Sequence, residues 1–190
     1  MKPLAFHAWL EEERAIPRSL LLDPRFAGRI RVDFRANAVF PHADQDGPCG
    51  YEIKNRGFTG FARGGEKGLW FSAARAGDTA LVIAESGIDA LSYAALHPDE
   101  AARYASTGGA MNPNQPALIA GAIEKLGQGA RLVIATDNDP GGRALADQIE
   151  ALARQAGRED LVLIRDLPEG EDSDWNDVLR ARQPAPRPQP

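Results

Sequence analysis

Carboxylates follow two short apolar runs of nearly the same sequence. Glu85 comes directly after ALVIA (80–84), and Asp137 and Asp139 follow RLVIAT (131–136) about 50 residues later. Continuous apolar runs of this length predict strands that are buried on both faces of a parallel sheet. Functional groups of open α/β sheets collect at the carboxyl ends of such strands, so we expect these three carboxylates at one sheet edge.

A divalent cation is the chemistry that this arrangement favours. Converging carboxylates repel one another unless a cation neutralises them, and hard oxygen ligands select Mg²⁺ or Mn²⁺. Asp89, on the first turn of the helix predicted after the first run, is a further candidate ligand, as are Asp174 and Asp177 near the end of the chain. Taken singly, each acid is equally well explained as a helix cap or as a favourable partner of a helix dipole. Their joint spacing favours the metal site.

The elements that must position these acids alternate from residue 79 onward. Strands are predicted in TALVIAE (79–85), at 103–107, in ARLVIATDND (130–139) and at 160–167. Helices are predicted at 88–96, near 115–126, and where Leu145, Ile149, Leu152 and Ala156 recur with helical spacing. This βαβαβαβ order predicts an α/β fold, a Rossmann-like doubly wound domain with a central parallel four-stranded sheet.

The preceding segment has a different pattern. Residues 1–22 predict short helices interrupted at Pro17, and residues 29–72 hold short runs of β-forming residues between glycine-containing turns. We predict an antiparallel meander of four or five strands, with a turn at DQDG (44–47). The expected organisation is an N-terminal helix with a small β-rich α+β subdomain (1–78), a catalytic domain (79–182) and a disordered proline-rich tail (183–190).

Charge also divides the chain. Residues 1–78 carry 12 Lys and Arg against 10 Asp and Glu, whereas residues 79–190 carry 10 against 17. The basic residues of 25–75 are interleaved with Phe26, Phe34, Phe58, Phe61, Trp70 and Phe71. This pattern fits a surface that tracks phosphates and stacks bases, and it equally fits a β-rich core with solvated arginines. The candidate nucleic-acid or phosphate contacts are Lys54, Arg56, Arg63, Lys67 and Arg143.

Other classes of site are excluded by composition. The single cysteine, Cys49, cannot form an intrachain disulfide or a cysteine-rich zinc site, and the three histidines lack the spacing of metal ligands. No apolar run approaches the roughly 20 residues of a membrane span, and the N-terminal residues do not form a secretory signal. We therefore expect a cytoplasmic protein without a membrane partner.

The acidic segments resemble the Toprim domain of bacterial primases, topoisomerases and OLD-family nucleases. The resemblance rests on LVIAESGIDALSYAAL (81–96), with Glu85 and Asp89, and on LVIATDNDPGGRALA (132–146), with Asp137 and Asp139. DSDWNDVL (172–179) is similar to the DWND ending of plasmid and mobile-element Toprim proteins. The upstream VFPH, YEIKNRGFTG and GEKGLWFS are similar to a domain of unknown function that often precedes such Toprim domains.

The resemblance implies Mg²⁺-dependent phosphoryl transfer on nucleic acid, with Glu85, Asp137 and Asp139 holding the metal. It also implies a primase-like role in plasmid or mobile-element transfer or replication, on single-stranded DNA or RNA, with a relaxase or helicase as partner. A Toprim nuclease of the OLD type and a non-catalytic nucleic-acid-binding module remain open alternatives. A HAD-type phosphatase is disfavoured, because its DxD motif usually lies near the N-terminus.

Overall fold

A computed structural model describes residues 1–3 and 7–182, and the predicted disordered tail lies outside this range. A π-helical turn, Trp9–Glu13, precedes the first α-helix. The strands are β1 (Lys2–Pro3), β2 (Arg31–Val32), β3 (Ala38–Ala43), β4 (Pro48–Asn55), β5 (Phe58–Phe61), β6 (Trp70–Phe71), β7 (Ala80–Ala84), β8 (Ala102–Ser106), β9 (Arg131–Ala135) and β10 (Val162–Arg165). The α-helices are α1 (Arg18–Leu22), α2 (Gly87–Leu96), α3 (Gln115–Glu124), α4 (Pro140–Gln155) and α5 (Trp175–Ala181).

Strands β1 to β5 form an antiparallel sheet in sequential order. The β3–β4 turn lies at the predicted DQDG, where Asp44 N–H donates to the Gly47 carbonyl at 2.9 Å. Gly47 has a φ of 120°, a conformation that a side chain would strain. At the opposite end of the sheet, the β2–β3 loop lies beside the β4–β5 turn. The predicted meander is therefore present for β2 to β5.

A mixed sheet has the order β10-β9-β7-β8-β6. Its four parallel strands confirm the predicted α/β fold. The prediction that GLWFS belongs to the meander holds only for Leu69, which pairs with Ala43 of β3 through an isolated antiparallel bridge. Strand β6 pairs antiparallel with β8 instead, at the edge of this second sheet. Trp70 is fully buried there against Phe26 and Phe40, and its Nε1 donates to the Arg29 carbonyl at 2.8 Å.

The continuous apolar runs arise because the mixed sheet is covered on both faces. On β7, Ala80, Val82 and Ala84 pack into the core beneath α2 and α5, whereas Leu81 and Ile83 pack beneath α3 and α4. Strand β9 alternates in the same way. None of the helices in residues 1–3 and 7–182 is long and apolar enough to cross a membrane.

Two of the contacts between the N-terminal part and the α/β part show how closely they pack. A β-carbon placed on Gly87 would stand 2.2 Å from Cδ1 of Phe40, so this position requires glycine for the aromatic ring to pack against the start of α2. Arg25 is buried and forms a bidentate ion pair with Asp78, at 2.7 and 2.8 Å. Its guanidinium also donates to the Ala73 and Glu100 carbonyls.

Candidate functional site

A cavity of about 350 Å³ opens between the inner face of the antiparallel sheet and the carboxyl ends of β7 and β9. Both parts of the chain contribute charged side chains to it, so carboxylates and cations face the same space. Its charged lining consists of Arg14, Glu52, Lys54, Lys67, Glu85, Asp89, Asp137 and Asp174.

Glu85 stands at the end of β7 with its backbone fixed and its carboxylate unpaired. Its carbonyl accepts hydrogen bonds from the N–H groups of Gly108 and Gly109, at 2.8 and 3.0 Å. Its Oε2 is buried and has no hydrogen-bond partner. Burial, followed by the negative charge of Asp139, raises the pKa of Glu85 above its ordinary value. A bound cation would offset both the burial of the carboxylate and its repulsion by Asp139.

Asp137 is the second residue after the end of β9 and lines the same cavity. Its Oδ1 is also buried without a partner. Burial, together with the negative charges of Asp89 and Glu85, raises the pKa of Asp137 to about 9. The turn after it needs Gly142, because a β-carbon there would stand 2.2 Å from the Asp137 carbonyl oxygen. The glycine therefore allows the chain to turn tightly into α4 while Asp137 faces the cavity.

Asp139 has a structural task that sequence reasoning assigned only as the alternative. It is the N-cap of α4, and its Oδ1 accepts from the Gly142 N–H at 2.6 Å. It does not line the cavity. The described residues contain no group of three or more His, Cys, Asp or Glu side chains placed to hold a metal ion. Among the described residues, Glu85, Asp137 and Asp139 therefore do not form a ready-made ligand group, although the negative charge of Asp139 acts on both of the others.

The other predicted acidic ligands separate into two groups. Asp89 is buried and accepts from Ser86 Oγ at 2.5 Å; burial and the charge of Asp174 raise its pKa to about 7. Asp174 also lines the cavity while capping α5 through the Asp177 N–H at 2.6 Å. Asp177 itself is exposed beside Arg180, at 3.3 Å, and does not line the cavity. The structure therefore does not bring Asp177 together with the acids of the cavity.

The residues present fit a divalent ion held by two carboxylates. The unpartnered oxygens Glu85 Oε2 and Asp137 Oδ1 are hard donors, and both residues line the same cavity. Mg²⁺ is commonly bound by one or two carboxylates, with water and substrate phosphate completing its coordination. The donor set therefore suits Mg²⁺ or Mn²⁺ without a third carboxylate.

The structure brings two of the five predicted basic contacts into the cavity. Lys54 Nζ lies 3.1 Å from Glu52 Oε1, and Lys67 Nζ donates to the Ala110 carbonyl at 3.2 Å. The remaining three are placed elsewhere. Arg56 is exposed and paired with Glu13, Arg63 lines a separate groove on the antiparallel sheet, and Arg143 donates to the Asn138 carbonyl at 2.8 Å.

Sequence reasoning missed Glu52, a buried carboxylate on β4. Its Oε2 accepts from the Gly87 N–H at 3.2 Å, and its other oxygen faces Lys54. The two residues are two apart on one strand and so share a face. That spacing indicates that Glu52 and Lys54 lie together. The sequence around them does not show which face of the strand lines the cavity.

Asn176 of the DWND segment also has a role that was not anticipated. Asp174 caps α5, and Asn176 is buried. Its Nδ2 donates to the Arg14 carbonyl at 2.7 Å and to Ser92 Oγ at 3.0 Å, while Arg14 Nη1 donates to Asn176 Oδ1 at 3.3 Å. Asn176 thus positions Arg14 at the cavity wall.

Comparisons with known proteins agree with this architecture. Residues 82–179 match the family model described as Toprim-like, and residues 8–79 match the one described as Protein of unknown function (DUF3991). The sequence-based recognition of a Toprim domain is confirmed. No curated protein matches the chain.

Two solved structures share the fold. The primase fragment of the bacteriophage T7 primase-helicase protein has 17% identity and a TM-score of 0.57, over 89% of this chain and 67% of that one. A DNA primase domain from Pseudomonas aeruginosa has 14% identity and a TM-score of 0.52, over 85% of this chain. This chain covers 54% of the Pseudomonas structure, about half its length.

Proposed function

This chain belongs to the Toprim-like family, and on that premise we propose that it performs divalent-metal-dependent phosphoryl transfer on nucleic acid in the manner of a primase. The observation that carries the proposal is the pair Glu85 Oε2 and Asp137 Oδ1. Both are buried oxygens without a donor, and their residues line one cavity. Burying two such acceptors is costly unless a cation or its water shell occupies the space between them.

Each charged group of the cavity has a role in this proposal. Glu85 and Asp137 hold the ion, which when bound polarises a phosphoryl oxygen and stabilises the attacking and leaving oxygens. Lys54 and Lys67 bind the phosphates that enter from the side of the antiparallel sheet. The Asp89 carboxyl, with a pKa raised to about 7, can take up and release a proton near neutral pH.

The proposed substrate is single-stranded DNA or RNA, with nucleotides as the second substrate. Support comes from the two structural neighbours, both described as primases, one of them part of a primase-helicase protein. We include in the proposal that the chain works beside a relaxase or helicase in plasmid or mobile-element DNA processing. The Toprim resemblance and the DWND segment support that setting.

One assay tests the proposal. The protein is incubated with end-labelled single-stranded DNA, nucleotides that carry a second label, and Mg²⁺ or Mn²⁺, so that new strands (extension products) and shortened template are detected separately. We expect extension products, lost in Glu85→Gln and retained in Glu124→Gln, a matched change at an exposed glutamate on α3. Shortened products alone would replace the primase with a nuclease. Binding of DNA without either product would indicate a non-catalytic module.

A further inference from the structure

The β2–β3 loop, residues 33–37, presents an aromatic side chain to solvent. Phe34 is 90% exposed, more than any other large apolar side chain in the described residues. The Arg35 guanidinium lies 5.2 Å from its ring centroid. The Arg35 guanidinium forms no ion pair within residues 1–3 and 7–182, although the Asp33 carboxylate of the same loop lies near enough for its charge to act on Arg35. The loop therefore offers an exposed ring beside a guanidinium without an ion-pair partner.

This loop is held rigidly despite its exposure. Asp33 Oδ1 accepts from the N–H groups of Arg35 and Asn37 at 2.8 and 2.9 Å, and Asp33 Oδ2 accepts from Asn37 Nδ2 at 2.8 Å. His7 Nε2 donates to the Ala36 carbonyl at 2.9 Å. Ala36 has a φ of 58°, which costs a non-glycine residue energy that the surrounding bonds must offset. Phe34 therefore stands on a preorganised support.

The loop lies at the same end of the antiparallel sheet as the cavity lysine Lys54. Asn55 Nδ2 donates to Asn37 Oδ1 at 2.5 Å, and Ala38, the first residue after the loop, pairs with Lys54. Ala38 is four positions after Phe34, so their Cα atoms are at most about 14 Å apart. A single strand of a few nucleotides could therefore contact both the loop and the cavity.

We propose that the 33–37 loop binds single-stranded nucleic acid, with Phe34 stacking on an unpaired base and Arg35 binding the neighbouring phosphate. A fixed aromatic ring beside a guanidinium matches a base and its phosphate, and stacking tolerates any base. Protein docking sites, in contrast, centre on aromatic anchors packed within a desolvated apolar patch. The residues on either side of Phe34 along the chain are Asp33 and Arg35, which are charged, so Phe34 is not the centre of an apolar stretch. The inference rests on the proposed function in one respect, namely that the strand bound at the loop continues into the cavity.

The test measures binding to a labelled oligothymidylate and to an abasic oligonucleotide of the same length, by fluorescence anisotropy in EDTA. Phe34→Ala should weaken oligothymidylate binding about 5- to 100-fold, the range expected for one lost base stack, and should leave abasic binding unchanged. Phe34→Trp should retain the affinity. Arg35→Gln should lower the salt dependence by about 0.7 in log–log slope for both ligands.

Leu22→Ala is the matched control, since Leu22 is an exposed apolar residue on α1. It should bind as the wild type does, and all variants should keep the wild-type melting temperature. Unchanged binding by Phe34→Ala would overturn the inference, as would an equal loss on the abasic ligand or no binding by the wild type. A variant that binds DNA normally but loses association with a protein would assign the loop to protein docking.

Glu85→Gln separates the inference from the proposed function. It should make no product with Mg²⁺, while adding Phe34→Ala to it should still weaken oligothymidylate binding in EDTA relative to Glu85→Gln alone. If the wild type makes no product with either metal but still binds through Phe34, only the proposed function fails. If product forms and Phe34→Ala binds normally, only the loop assignment fails.

Discussion

Glu52 on the antiparallel sheet accepts a hydrogen bond from the backbone N–H of Gly87, the first residue of α2, at 3.2 Å. A carboxylate at this position neutralises the positive end of the helix dipole and one of its unpaired N–H groups. The same carboxylate holds Lys54 at the cavity. The antiparallel sheet is therefore part of the wall on which the proposed chemistry depends.

Glu52→Ala should lower the free energy of unfolding by about 1–3 kcal/mol, because it leaves the buried Gly87 N–H and Lys54 without their partner. Denaturant unfolding measures the change. Glu66→Ala, at an exposed position shortly after β5, should change stability by less than about 0.5 kcal/mol. Equal stability of the two variants would show that Glu52 does not join the two parts.

Asp137→Asn should stabilise the metal-free protein. The pKa of Asp137 is raised to about 9 in the folded state from an ordinary 3.8, so its ionisation disfavours folding. This effect is absent below pH 3.8, grows as pH rises toward 9, and is constant above that. Melting temperatures in EDTA should therefore favour the variant increasingly between pH 4 and pH 9. A variant less stable than the wild type at pH 8 would contradict a destabilising carboxylate.

Mg²⁺ should raise the melting temperature of the wild type at pH 8, because a ligand that binds only the folded state stabilises it. At a concentration about 100 times the dissociation constant, the gain is about 2.7 kcal/mol. Glu85→Gln and Asp137→Asn should lose the response. Asp177→Asn should keep it, since Asp177 lies outside the cavity. If Mg²⁺ did not raise the melting temperature of Asp177→Asn, Asp177 would be shown to contribute to the metal site.

Gly142→Ala should be strongly destabilising, and clearly more so than Gly141→Ala. The new β-carbon at 142 would stand 2.2 Å from a backbone oxygen, but the one at 141 would meet only Asp139 Oδ1, at 3.3 Å. We expect a loss above about 2 kcal/mol for the first variant, by analogy with overpacked cores. Similar melting temperatures for the two would mean that the turn after Asp137 can shift.

Lys67→Gln should reduce the salt dependence of single-stranded DNA binding by about 0.7 in log–log slope, the loss of one phosphate contact. Lys67 lines the cavity, whereas Arg63 lines a separate groove. Arg63→Gln is therefore the matched control and should leave the slope unchanged. Salt titrations of DNA binding by both variants measure the two slopes. A lower slope for Arg63→Gln and an unchanged slope for Lys67→Gln would place the binding surface at the separate groove instead.

The parallel strands and the acids at their ends were predictable from the sequence. A strand that is buried on both faces has a continuous apolar sequence, which can be recognised without a structure. The sequence therefore predicted correctly that Glu85 and Asp137 follow the ends of β7 and β9. Asp139 was harder to assign, because an N-cap and a metal ligand require the same side chain one position before a helix. Only the hydrogen bond to the Gly142 N–H separates the two roles.

Tertiary packing determines which aromatic residues are buried and which are exposed, and the local sequence pattern does not show this. Phe26 and Phe34 both lie among basic residues, yet Phe26 stacks on Trp70 in the core while Phe34 is exposed. The difference depends on which sheet β6 joins. That pairing is a contact between Trp70–Phe71 and strand β8, more than 30 residues away.

Strand β6 also determines how the two parts can be separated in the laboratory. A fragment beginning at residue 79 would match the acidic half of the sequence but would lack Trp70 and Phe71, which cover one edge of β8. The uncovered strand would present unpaired backbone groups and an apolar surface, a template for association between copies. A fragment that begins before residue 70 would keep its own edge protected.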